Sequence, residues 1–111
     1  GTPGTDLTDV TCLGQCKMLT KLNLAGCRGV TEVSCLGQCK MLTELVLNYC
    51  TGLTDVSGLG RCGMLTKLIL SDCTGLTDVS CLGQCEMLAT LYLNRCCVRR
   101  RARVSARESW A

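Results

Sequence analysis

A 23-residue unit recurs four times without insertion or deletion, over residues 7–29, 30–52, 53–75 and 76–98. The first and last copies read LTDVTCLGQCKMLTKLNLAGCRG and LTDVSCLGQCEMLATLYLNRCCV. Stacked structural repeats require this strict register, because each unit buries its apolar side only against its neighbours. Positions used for stacking are therefore held constant from copy to copy, and positions that face outward are left to vary.

Within a unit the apolar residues follow two steps, as in Leu42, Leu45, Leu47, Cys50, Leu53, Val56, Leu59, Cys62 and Leu65. The two-residue step from Leu45 to Leu47 puts both side chains on one face of a strand. Steps of three return side chains to one face of a tight 3₁₀-like turn. One short strand and a compact return therefore make one circuit. The spacing predicts strands centred on Leu22–Leu24, Leu45–Leu47, Leu68–Leu70 and Leu91–Leu93, paired in parallel because every circuit restarts in the same direction. Gly29, Gly52 and Gly75 close the strand side, where unusual backbone angles are expected.

The core must be aliphatic and sulfur-rich, since the chain holds two Tyr, one Trp and no Phe. Residues 1–98 carry seven basic and eight acidic side chains, so the repeats are close to neutral. The excess of positive charge lies in Arg99, Arg100, Arg101, Arg103 and Arg107. A neutral body argues against nucleic-acid binding by the repeats and confines that expectation to the tail. No apolar stretch approaches the roughly 20 residues of a membrane span, so no membrane partner is expected. The opening GTPGTD reads as the end of a preceding, partial unit over residues 1–6, which leads us to expect a fragment of a longer array. Residues 99–111 lack the leucine spacing and are expected to be disordered or weakly helical.

The stretch LTELVLNYCTGLTDVSGL, with its repeated L-x-x-L-x-L-x-x-C, resembles a leucine-rich repeat of the cysteine-containing kind over about residues 7–98. The LTDV that follows and the short return resemble the cysteine-rich arrays abundant in trypanosomatid protists, and more loosely internalin-like repeats and F-box substrate receptors. The resemblance implies an α/β fold, a curved leucine-rich-repeat solenoid with short parallel strands on its concave side and 3₁₀ or irregular returns on its convex side. It also implies a binding scaffold. The unit after Val98 departs from the pattern, and neither end shows a recognisable cap.

Eleven of the twelve cysteines fall into columns at intervals of 23: Cys16, Cys39, Cys62 and Cys85; Cys27, Cys50, Cys73 and Cys96; and Cys12, Cys35 and Cys81, with Gly58 in the remaining slot. Cys97 stands outside. The first two columns continue the Leu and Val spacing and read as small buried hydrophobes. The second occupies the family's usual Asn position, where thiols are expected to donate weakly to turn carbonyls. The third is expected to point elsewhere. Zinc sites need paired C-x₂₋₄-C or His ligands, and this chain has no His and breaks CLGQC to GLGRC in its third unit, so no metal is expected. Layers about 4.8 Å apart would permit disulfides by distance. Parallel stacked side chains do not aim at one another, however, and so many thiols point to a reducing, intracellular setting, cytoplasmic or nuclear.

Candidate function lies where the copies differ. Between the two core leucines of each strand stand Asn23, Val46, Ile69 and Tyr92, flanked by Lys21, Glu44, Lys67 and Thr90 and by Gly26, Tyr49, Asp72 and Arg95. Val46, Ile69 and Tyr92 read as an apolar stripe for a protein partner, with Glu44, Lys67, Tyr49, Asp72 and Arg95 supplying specificity. Four strands and about seven residues of width make on the order of 400 Å² of such a face, against the roughly 800 Å² a stable partner usually covers. The column Asp9, Glu32, Asp55 and Asp78 reads as turn-forming, its carboxylates accepting local N–H groups. No nucleophile motif, His or phosphate-cradling loop is present, so neither catalysis nor a cofactor is expected. The expected function is a non-enzymatic protein-interaction scaffold. The alternatives are a substrate-recognition part of a ubiquitin ligase, or RNA or acidic-partner binding by the arginine tail; oligomeric state is left open.

Overall fold

The structure is a computed structural model that describes residues 10–96 and the backbone of residues 108–109. Four circuits follow one another, each a five-residue 3₁₀ turn and then a three-residue strand. The 3₁₀ turns are η1 (Thr11–Gln15), η2 (Ser34–Gln38), η3 (Ser57–Arg61) and η4 (Ser80–Gln84). The strands are β1 (Lys21–Asn23), β2 (Glu44–Val46), β3 (Lys67–Ile69) and β4 (Thr90–Tyr92). They pair in parallel and in exact 23-residue register, Leu22 beside Leu45, Leu45 beside Leu68 and Leu68 beside Leu91. A fifth strand, β5 (Glu108–Ser109), pairs in parallel with β4, where the sequence reading foresaw none. The expected partial unit over residues 1–6 and the rest of the tail lie outside the described residues.

The expected strand centres shift by one residue, to Leu22, Leu45, Leu68 and Leu91. The ladder nevertheless runs one bond further, with the amides of Leu24, Leu47 and Leu70 donating to the carbonyls of Val46, Ile69 and Tyr92 at 2.8–2.9 Å. Both leucines of each strand thus face the same interior, as the two-residue step requires. Between strand and sheet-remote return lies one continuous aliphatic core. Val33, Leu36, Cys39, Leu42, Leu45, Leu47, Cys50 and Leu53 line a complete circuit, each with no exposed surface.

Side chains also tie layer to layer. The hydroxyls of Thr43 and Thr66 donate to the carbonyls of Thr20 and Thr43 at 3.0 and 3.1 Å, and that of Thr54 donates to Thr31 at 3.3 Å. The threonine of the TDV turn thus serves the neighbouring layer rather than its own turn. The acids behave as expected. Glu32, Asp55 and Asp78 accept the amides of Ser34, Ser57 and Ser80 at 2.7, 2.8 and 2.9 Å, closing the turn that opens each 3₁₀ segment. Asp9 lies outside the described residues.

Left-handed backbone does not occur where the glycines predicted it. It falls at Gly26 (φ 78°), Tyr49 (64°), Asp72 (63°) and Arg95 (62°), three residues before Gly29, Gly52 and Gly75. Gly52 is needed for another reason. A Cβ there would stand 2.4 Å from the Arg28 carbonyl oxygen of the layer below. Gly58 likewise brings two 3₁₀ turns together, since a Cβ there would lie 2.6 Å from Ser34 Cα, which accounts for the missing cysteine of the third column.

Candidate functional site: the strand face and its left-handed rim

Cysteine recurs in three columns, and the structure distinguishes them through the sulfur. Cys39, Cys62 and Cys85 are fully buried, and their Sγ atoms donate to the carbonyls of Leu13, Leu36 and Leu59 at 3.2–3.3 Å. Cys50, Cys73 and Cys96 donate to Leu24, Leu47 and Leu70 in the same way. Each of these six thiols satisfies a carbonyl in the preceding layer, as the Asn position led us to expect for the second column, whereas Cys16, expected to be buried with the first column, is exposed in the first described layer. The third column differs from expectation. Cys35 and Cys81 are half-buried against the core and donate to Val10 and Val56 at 3.0 Å, so they extend the ladder instead of pointing away. Burial pushes the thiol of Cys62 up to about 11 and that of Cys73 up to about 12. Thiols held this firmly in the protonated form are poor nucleophiles and poor metal ligands.

The strand face is built from what the core leaves over. In each strand the central leucine turns inward, so its neighbours on both sides must turn outward. Asn23, Val46, Ile69 and Tyr92 stand in direct register across β1 to β4. Val46, Ile69 and Tyr92 are half-buried and stand side by side in register, so these three apolar residues form one stripe. Asn23 turns its Oδ1 back to accept the Ala25 amide at 3.0 Å.

In the charged column, Glu44 stands between two lysines. Glu44 lies beside Lys67 in register, yet its carboxylate pairs with Lys21 on the other side at 3.7 Å. Lys67 keeps its ammonium exposed, with no partner among the described residues. A shallow groove of about 260 Å³ runs between Lys21, Leu22, Asn23, Glu44 and Val46.

Tyr49, Asp72 and Arg95 form the opposite rim, and all three are in the left-handed region. For a residue with a Cβ that conformation costs about 1–2 kcal/mol. It is held by the ladder, since the amides of Tyr49 and Asp72 donate to the carbonyls of Ser71 and Asn94 in the next layer at 2.9 and 3.0 Å. Gly26 does the same to Asn48 without that cost. The turn throws the three side chains together. Arg95 grips Asp72 with two nitrogens, Nε to Oδ1 at 2.5 Å and Nη2 to Oδ2 at 3.2 Å. That bidentate pair holds the Asp72 carboxyl below its usual range, with a smaller contribution from the Tyr49 hydroxyl, and raises Arg95. Beside it, Ser71 donates to Asn94. The rim is therefore rigid and largely satisfied within itself, with the Tyr49 ring left half exposed.

Sequence reasoning passed over two features of the surface. One is the pairing of Lys21 with Glu44, which only the side-chain positions show. The other is the methionine of each unit. Met18, Met41, Met64 and Met87 are all exposed, by 77, 39, 45 and 56%. Their 23-residue interval was the available signal, masked by the assumption that a constant apolar position is a core position.

The family model described as Leucine Rich repeat matches residues 15–32 and 38–59. No curated protein matches the chain. Among solved structures, internalin C2 of Listeria monocytogenes superposes with a TM-score of 0.60 at 14% identity, over 94% of this chain and 57% of that one. TLR13, in its complex with ssRNA13, superposes with a TM-score of 0.60 at 19% identity, over 79% of this chain and 13% of that one. The chain thus spans little more than half of the first and a small part of the second. Parallel three-residue strands in 23-residue register, 3₁₀ returns and an inter-layer ladder at the Asn position agree with these likenesses, and the fold of the chain is a leucine-rich-repeat solenoid.

Proposed function

We propose that the chain is a non-enzymatic protein-recognition scaffold that binds through the strand face, with Val46, Ile69 and Tyr92 as apolar contacts and Tyr49, Asp72, Arg95, Glu44 and Lys67 as the residues that select the partner. The supporting observation is a split within each circuit. The apolar positions of the return repeat nearly unchanged and are buried, whereas the strand face differs from each layer to the next and is at least partly open to solvent. Stacking explains the first and places no demand on the second. The left-handed rim supports the same reading, because strain of this kind persists where a side chain's position is worth more than its backbone comfort. A partner that covers this face alone is weakly bound, since the face offers on the order of 400 Å² where stable interfaces take about 800 Å² per side.

Site-specific photo-crosslinking tests the reading. A photoreactive residue at Ile69 should capture a discrete set of proteins, and one at exposed Thr74, away from the face, should not capture the same set. Val46→Ser with Tyr92→Ser should deplete that set from the Ile69 capture. An undepleted set would refute the stripe. The ubiquitin-ligase alternative draws on no feature of these circuits, and the tail alternative rests on residues outside the described set.

A further inference from the structure

The exposed methionines form a second surface that owes nothing to the strand face. Each stands in the turn between a 3₁₀ segment and a strand, three residues before the Lys21, Glu44, Lys67 and Thr90 column. With Tyr49, they are the large hydrophobic residues exposed among the described residues. Burial cannot account for them, and neither can stacking. The residue just before each methionine is exposed as well and has diverged to Lys17, Lys40, Gly63 and Glu86, so the turn tolerates change. The methionine has not diverged.

The side of this row that faces the 3₁₀ returns is charged with one sign over three layers. Lys17 reaches across to the Gln38 Oε1 at 3.0 Å, Lys40 to the Arg61 carbonyl at 3.3 Å, and Arg61 itself is exposed beside them. These contacts lay the cations along the row rather than letting them swing into solvent. Glu86, at the far end, is the one acid of that column. The row is thus an apolar line with a basic border.

We propose that this methionine edge docks an amphipathic α-helix of a partner protein whose apolar row is bordered by acidic residues. The pitch of the row favours a helix. Four layers at about 4.8 Å set the outer methionines roughly 14 Å apart. Successive turns of a helix repeat at about 5.4 Å, so three turns overrun the row by roughly 2 Å. An extended strand, whose same-face residues repeat at about 6.7 Å, overruns it by roughly 6 Å. Unbranched methionine side chains with three rotatable bonds absorb the smaller mismatch and not the larger. The basic border then selects acidic flanks and adds to the encounter rate.

The probes are synthetic helical peptides of about five turns. One carries a leucine row flanked by glutamate, the second has lysine in place of glutamate, and the third has the same composition as the first with its leucines dispersed. The full chain, labelled with ¹³C at the methionine methyls, gives four resonances, one per layer. The acidic helix should shift those of Met41 and Met64, and fluorescence anisotropy should show it binding about tenfold more tightly than either control. M41S with M64S should weaken it about tenfold without moving the melting temperature, and V46S with Y92S should leave it unchanged. Equal binding of acidic and basic helices, unmoved methyl resonances, an unaffected methionine variant, or loss of binding in the strand-face variant would each overturn the proposal. The last two also separate it from the strand-face reading, which the same peptides do not test.

Discussion

The return and the strand face belong to the same circuits, spaced by the same repeat, yet they obey opposite rules. From Val33 to Cys39 every third residue is sealed in the core and reappears unchanged one layer later. From Glu44 to Tyr49 every position that faces solvent differs from its counterpart in the next layer. Identical neighbours suit the first, because a layered core is filled by one side-chain shape repeated at a fixed spacing. The second is released from that demand. The methionine row fits neither rule, being exposed and constant, and is for that reason the most informative departure.

This contrast breaks most sharply in the core. Leu68→Ala empties a site with no exposure between two identical layers and should cost about 2–5 kcal/mol, measured by denaturant unfolding. A loss below about 1 kcal/mol would mean that neighbouring layers collapse independently. Gly52→Ala should cost about 1–3 kcal/mol, because its Cβ meets backbone rather than a movable side chain.

The thiol ladder adds a pH dependence. Unfolded thiols ionise near the ordinary value of 9.0, while Cys62 and Cys73 hold their protons until about 11 and about 12. Between those limits the unfolded chain binds fewer protons, so stability must fall as pH rises. Melting temperatures recorded with reductant should drop from pH 9 upward, and Cys73→Ala should flatten the decline. A level profile would show that the thiols are hydrated.

On the strand face the expected effects are smaller and can change sign. Tyr49→Gly relieves a left-handed residue and should stabilise by about 0.5–1 kcal/mol, net of the chain entropy glycine adds. If the variant is instead destabilised, the Tyr49 ring contributes packing that outweighs its backbone strain. Val46→Ser or Tyr92→Ser should shift stability least, by about 0.5 kcal/mol or less, and partner capture most. The reverse order would make the stripe part of the core.

Fold was legible because one repeat was seen four times. Steps of two and three at constant period define a strand and a 3₁₀ return with little room for another circuit, and the observed elements follow them to within a residue. The site was legible only as a set of columns. That Val46, Ile69 and Tyr92 share a face follows from alternation, but the choice of Lys21 over Lys67 by Glu44 does not, because both flank it equally in register. The left-handed turn was misplaced because glycine signals either positive φ or close approach, and at Gly52 the second reason operates.

The amino-acid sequence by itself determined the circuit: its length, the parallel strands, the buried leucine and cysteine columns and the variable face all follow from periodicity, since burial acts on each position through its side chain alone. Tertiary structure decided what depends on two layers at once. It directed the buried thiols to carbonyls of the preceding layer, held Tyr49 and Asp72 in left-handed turns by bonding them to the next, and left the methionines outside. Distances between neighbouring backbones set those outcomes, and no residue carries them alone.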